Sequence, residues 1–306
     1  MRRSGIRERS QLKIVNKKCC DLYLELRSNE PNPPERLFHY TNSQGLLGIV
    51  AGKKLWVSHA DFLNDSSEPR YALAVLKDSV EKVTRALEGD SIAARSLRGV
   101  WEYVDDEYKK HGPHVYVSCF SEEGDLLSQW RGYGDQCAGY ALGFSGSSLR
   151  NLLARGKGQF MMKIVYDEQK QWEEAKYVLE QIVSIANDVE TRLPDAEAET
   201  IEGRLRSAIF AEIIRLRAKF KVKSFEEERE WRIVQFIPSE SEVKFRAGVE
   251  VIKPYLELDL GRLPIDQLTI GPTLDMTLSN QSLDLLFTNH GYANICLKKS
   301  SVPYRQ

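Results

Sequence analysis

From residue 36 onward, short apolar runs alternate with polar breaks, and the period of the apolar positions predicts the elements in turn. Leu37-Phe38-His39-Tyr40-Thr41 reads as a strand. Ser43-Gln44 is a polar helix start, Gly45 to Val50 is apolar at helical spacing, and Gly52 is a natural stop. Leu55-Trp56-Val57-Ser58 is a second strand, followed by a polar loop from Asp61 to Glu68 that leads into another helix. Helical periodicity then covers residues 67–88 and 90–110, with a strand at 115–120, a short helix at 125–130, a strand at 139–144, a helix at 147–153 and a strand at 160–166. Two long helices fill 168–190 and 194–220. After them come strands at 230–236, 248–252, 255–258 and 267–270, a helix at 277–290 and a last strand at 293–298. Ahead of all this lies a helix at about 8–28, closed by the punctuation Asn29-Glu30-Pro31-Asn32-Pro33-Pro34.

This order predicts an N-terminal helical arm over residues 1–30 and a single α+β domain over 31–306. Strands outnumber crossover helices and several sit close together, which fits a mixed sheet better than a doubly wound parallel one. No glycine-rich dinucleotide fingerprint or P-loop argues otherwise. With 306 residues, 42% hydrophobic and 28% charged, the chain is long enough for a sizeable core, and its formal charge of −1 excludes a surface that is basic throughout. The basic cluster Arg2, Arg3, Arg7, Arg9, Lys13, Lys17 and Lys18 reads as a solvated helix face. No apolar run reaches the length of a membrane span and no signal-type apolar segment follows the basic start, so a cytoplasmic protein without membrane contact is expected. Five scattered cysteines lacking CxxC spacing are expected to be reduced, mostly buried thiols.

Four groups of residues carry candidate chemistry, each with a structural alternative. His39, followed by Thr41, Asn42 and Ser43, places several polar groups at one strand end; the alternative is a hydrogen-bonded structural histidine. Trp130-Arg131-Gly132-Tyr133-Gly134 with Gly139-Tyr140 offers aromatic faces and close backbone approach for a planar ligand, or a turn packed by aromatics. If the strand that follows reaches back far enough, Glu228, Glu230 and Arg232 share one face, where two carboxylates beside a guanidinium can be driven to different pKa values; an ordinary solvated acidic run is the alternative. Asn64-Asp65-x-x-Glu68 is read as a helix cap, with a hydrolytic metal held by His39, Asp65 and Glu68 as the lesser reading. His59, His111, His114 and His290 are given no role.

The combination Phe38-His39-Tyr40-Thr41, Asn64-Asp65-x-x-Glu68, Trp130-x-x-Tyr133 with Gly139 and Phe144, Glu228-x-Glu230-x-Arg232, and the tail Leu268 to Pro272 with Pro303-Tyr304-Arg305 resembles a bacterial domain family of unknown function, over roughly residues 36–305. The order of a strand-borne His, a central aromatic strand and a late strand opening on Glu also resembles the ADP-ribosyltransferase superfamily, toxin-like members above all. That resemblance implies an ADP-ribosyltransferase-like mixed β-sheet core with large helical insertions, and NAD as substrate. By the same resemblance His39 binds NAD with help from Thr41, Tyr133 or Tyr140 stacks on nicotinamide, Glu230 is the catalytic carboxylate and Glu228 orients the acceptor. Tyr40, Trp130 and Arg232 complete the expected NAD site. The implied partners are a macromolecular acceptor and an antitoxin or trigger, in a toxin or antiphage role. Lys219-Phe220-Lys221-Val222-Lys223 tilts the acceptor towards RNA or DNA over protein. The competing functions are a non-catalytic nucleotide-sensing or protein-interaction module and, third, the metal-dependent hydrolase.

Overall fold

The computed structural model describes residues 2–63, 68–111, 115–134, 137–155, 158–190, 198–236, 243–248 and 251–303, with the backbone alone for 2–10, 68–69 and 106–111. By its internal contacts the chain divides into two compact units. One is Met1–Glu30, Ser66–His114 and Val165–Lys223; the other is Pro31–Asp65, Val115–Ile164 and Ser224–Gln306. The punctuation around Pro31 does mark a boundary. The segment before it is packed into the first unit instead of standing as an arm, and the stretch after it carries the rest of that unit as two helical insertions.

The first unit is helical: α1 (Arg2–Ser28), α3 (Glu68–Arg85), α4 (Ile92–Arg98), α5 (Val100–His111), α8 (Glu168–Glu190) and α9 (Ala198–Arg217). The single helix expected over 90–110 is two helices. Ser91 caps α4 by accepting from the Ala94 amide, and Gly99 ends it. Helical spacing brings Val178, Leu179, Ile182, Ile185, Ala186 and Val189 of α8 onto one buried stripe, and Leu205, Ile209, Ile213 and Leu216 of α9 onto another. With Val15, Leu22 and Leu26 of α1 they form one core, in which each large aliphatic side chain contributes about 2 kcal/mol.

Of the basic patch over 219–223 only Lys223 is exposed. Lys219 and Lys221 are buried and Phe220 is fully so, because the chain turns inward after α9. Lys219 Nζ is paired with Glu30 and lies 2.8 Å from Glu174, while Arg215 Nε lies 2.6 Å from Glu212. These cations are engaged inside their own unit. Two of the three lysines that suggested nucleic acid at this segment are thus buried.

The second unit holds the sheet: β1 (Arg36–Thr41), β2 (Lys54–His59), β3 (Val115–Ser121), β4 (Tyr140–Ser145), β5 (Gln159–Lys163), β6 (Glu230–Phe236), β7 (Lys244–Arg246), β8 (Lys253–Asp259), β9 (Ile265–Ile270) and β10 (Cys296–Lys299). Its helices are α2 (Ser43–Gly52), α6 (Leu127–Tyr133), α7 (Gly146–Leu153) and α10 (Met276–Asn289). The strand order is β10-β9-β4-β1-β3-β2-β8-β7, with β6 between β3 and β5; β9 and β10 run parallel and the other registered pairs antiparallel. The unit is thus a mixed α+β sheet. The strand expected at 248–252 is replaced by β7, and the described residues of that stretch belong to the β7–β8 connection.

One feature of the register positions everything that follows. Along one edge of β3, β6 pairs with all seven residues, from Val115 opposite Phe236 to Ser121 opposite Glu230. Along the other edge β2 meets Tyr116 and Val117, while β1 meets only Ser121. Strands β1 and β2 therefore diverge, and among the described residues no strand is registered against 118–120 on that edge.

Helix α2 connects the two diverging strands and packs closely on both. A Cβ at Gly45 would collide with Thr41 Oγ1, and one at Gly48 would stand 2.8 Å from the Trp56 ring. The remaining face of α2, Leu46, Ile49 and Val50, joins Leu37, Leu55, Val57, Phe120, Phe144, Trp231 and Ile233 in the core of this unit. Among the described residues no helix is long and apolar enough to cross a membrane. The five cysteines are free, but only Cys137 is buried; Cys20 and Cys296 are exposed, correcting the expectation of mostly buried thiols.

Candidate functional site

A cleft of about 340 Å³ opens where β1 and β2 part. Its lining includes His39, Thr41 and Asn42 from the end of β1, Gln44 and Gly45 from the start of α2, and Trp56 and Ser58 from β2. Val117, Ser118 and Cys119 of β3 form its floor, Phe62 and Tyr133 stand on its walls, and Arg246 and Lys253 reach it from the β7–β8 hairpin. Among the described lining residues no carboxylate is found, and the charged side chains are Arg246 and Lys253.

His39 is held in one state by its surroundings. Its Nδ1 lies 2.9 Å from the Cys119 carbonyl oxygen, on the stretch of β3 left without a strand. A carbonyl only accepts, so Nδ1 carries the proton. Burial pushes the imidazole below its ordinary pKa; the Cys119 carbonyl opposes this, and the nearby charge of Arg246 adds to it. At neutral pH His39 is therefore neutral, with a lone pair on Nε2. The ring also packs at 5.5 Å from Phe120, which fixes its plane.

Arg246 is built differently. One of its N–H groups donates to Ser58 Oγ at 2.7 Å, and its guanidinium lies 5.8 Å from the Trp56 ring and 6.0 Å from Tyr255. Trp56 and Tyr255 are themselves packed at 4.9 Å with their rings tilted by 39°. Burial lowers the guanidinium pKa, but the group keeps its charge at neutral pH. Among the described residues no carboxylate is paired with Arg246. Half-buried cations are ordinarily compensated, so this one is suited to a negative ligand.

The structure brings only part of the predicted set to this cleft. His39, Thr41 and Tyr133 line it, with Tyr133 38% exposed at the mouth. Tyr40 is also a lining residue. Its ring is buried edge-on against Trp130, and its hydroxyl donates to the Glu123 carbonyl and accepts from the Leu126 amide. Trp130 is fully buried with its indole N–H on Asp125 at 2.8 Å, and Tyr140 is a core residue of β4. The aromatic motif at 130–133 thus divides into one packing residue and one cleft residue.

Glu228, Glu230 and Arg232 do not line the cleft. They lie just before and at the start of β6, and β3 stands between that strand and the split. Nor do Glu228 and Glu230 share a strand face. Glu228 ends a 3₁₀ turn, Arg229 has φ of 43°, and the strand begins only at Glu230. Glu230 and Arg232 form a buried two-pronged pair, Nε to Oε1 at 2.6 Å and Nη2 to Oε2 at 3.0 Å, alternating with the core residues Trp231 and Ile233. The spacing that suggested divided carboxylate chemistry produces an intrastrand ion pair.

Asn64 and Asp65, on which the cap and metal readings of that motif rest, lie outside the described residues, as does the side chain of Glu68. Among the described residues no group of three or more His, Cys, Asp and Glu is placed to hold a metal ion. Sequence reasoning missed Arg246, Ser58, Trp56 and Phe62. The alternation in Leu55-Trp56-Val57-Ser58, with Leu55 and Val57 as the core pair, was the available signal for Trp56 and Ser58. Nothing in Lys244-Phe245-Arg246 distinguishes Arg246 until the hairpin places it.

Residues 129–233 match the model of DUF2971, a protein family of unknown function. This segment contains Trp130, Tyr133, Glu228, Glu230 and Arg232, while His39 and the β7–β8 hairpin lie outside it. No curated protein and no solved structure matches the chain.

Proposed function

We propose that the cleft between β1 and β2 binds a nucleotide, with NAD as the favoured ligand, and that the protein works as a nucleotide-binding, sensing module. One observation carries this reading: a neutral histidine whose Nε2 can only accept stands beside an arginine with no described carboxylate partner. The first suits a ribose hydroxyl and the second a phosphate. Tyr133 and Phe62 supply aromatic faces for a base or nicotinamide ring, and the volume falls at the lower end of ligand-sized sites. The test is equilibrium binding of NAD to the wild-type protein and to His39→Ala. Saturable binding that weakens about tenfold in the variant is expected, as for the loss of one good hydrogen bond; no binding by folded wild-type protein would overturn the reading.

ADP-ribosyl transfer is the second reading. It rests on the resemblance in strand order and on Arg229, whose left-handed backbone between the two glutamates is the kind of strain that gathers at functional positions. In that reading a carboxylate stabilises an oxocarbenium-like state as nicotinamide leaves, and a macromolecule receives the ADP-ribosyl group. Nicotinamide release from NAD in the presence of RNA, DNA or protein extract, abolished in Glu230→Ala protein that is still folded, would favour it over sensing.

A further inference from the structure

We infer that Arg246 is the phosphate-reading residue of the cleft, so that the site selects a nucleoside diphosphate unit over the bare nucleoside. The inference rests on the nucleotide reading and deepens it. Ser58 occupies one of the five guanidinium N–H donors, and no other described side chain or carbonyl takes the rest. Trp56 and Tyr255, packed against each other at a tilt of 39°, flank the group and restrict its movement. Trp56 is in turn fixed by the close approach of Gly48 on α2. A planar fork held in this way offers parallel donors to two phosphate oxygens, which a lysine at the same place would not.

The position of the group adds to the case. Arg246 is on the β7–β8 hairpin and lines the same cleft as His39. A ligand that reaches both presents a hydroxyl and an anion, as the ribose and phosphate of a nucleotide do. Lys253, paired with Arg246 across the hairpin, also lines the cleft and adds positive charge on the same side.

The experiment titrates the full-length protein with adenosine, ADP and inorganic pyrophosphate, in the wild type, Arg246→Ala and Arg246→Lys, at two salt concentrations. Thermal unfolding of each variant establishes that it is folded. Wild-type protein should bind ADP at least tenfold more tightly than adenosine, and that preference should weaken at the higher salt. Arg246→Ala should weaken ADP about tenfold to a hundredfold and leave adenosine unchanged, the loss expected for charge-assisted hydrogen bonds; Arg246→Lys should recover only part of it. Equal loss for adenosine and ADP, or no loss for either, would overturn the role of Arg246 while leaving the nucleotide reading in place. Binding of pyrophosphate as tight as that of ADP, or no binding of adenosine, ADP or pyrophosphate by the wild type, would overturn both.

Discussion

The cleft and the start of β6 are two polar regions of the same sheet, built on opposite principles. At β6, Glu230 and Arg232 satisfy each other two residues apart in a buried strand. In the cleft, His39 and Arg246 come from segments more than two hundred residues apart and are each tied by one bond to a neighbour that leaves their binding capacity open. A dense acidic and basic motif in sequence is therefore the more structural of the two. The open chemistry is carried by residues that are unremarkable in sequence and meet only through the split along β3.

The largest effect that would sharpen this contrast is on stability. Removing the carboxylate with Glu230→Ala leaves the Arg232 guanidinium buried without its two-pronged partner, which should cost about 3–5 kcal/mol, read as a fall in the denaturant midpoint. A midpoint unchanged within error would break the contrast by showing the pair to be dispensable. The next effect is on binding. His39→Ala should lose about 1.4 kcal/mol of NAD affinity; an unchanged affinity would remove the histidine from the site.

A smaller loss is expected from Tyr133→Ala, about 1 kcal/mol in NAD binding, with stability held within about 0.5 kcal/mol because the ring is partly exposed. Calorimetric titration beside a melting curve separates the two quantities. The smallest effect near neutrality is that of pH. The His39 pKa is lowered in the folded protein, so Nε2 stays an acceptor from pH 8 down to about 6.5, the ordinary imidazole value, and NAD affinity should be flat over that range. Affinity should fall only as the pH passes through the lower, folded-state value. Folding stability has the same sign: the unfolded chain takes up the imidazole proton first, so stability contributed by neutral His39 is lost as pH falls below about 6.5. Affinity that instead rises on acidification through this range would contradict the neutral acceptor.

The elements themselves were legible because local periodicity sets them. The stripe Leu46, Ile49, Val50 predicts α2, and alternation of Leu55 and Val57 with Trp56 and Ser58 predicts β2. His39, Thr41 and Tyr133 were also singled out from sequence and do reach the cleft. The illegible part was long-range. Whether Glu228 and Glu230 share a face depended on one backbone angle at Arg229, and the pairing of Lys219 depended on Glu30 and Glu174 arriving from distant segments. The divergence of β1 from β2 comes from pairings across β3 that no local pattern records.

The most direct measurement is a crystal structure of the full-length protein with NAD. The account predicts electron density in the split between β1 and β2, with a ribose hydroxyl within hydrogen-bond distance of His39 Nε2 and the diphosphate on the Arg246 guanidinium. Density for NAD seated against Glu228 or Glu230, with the cleft empty, would contradict it.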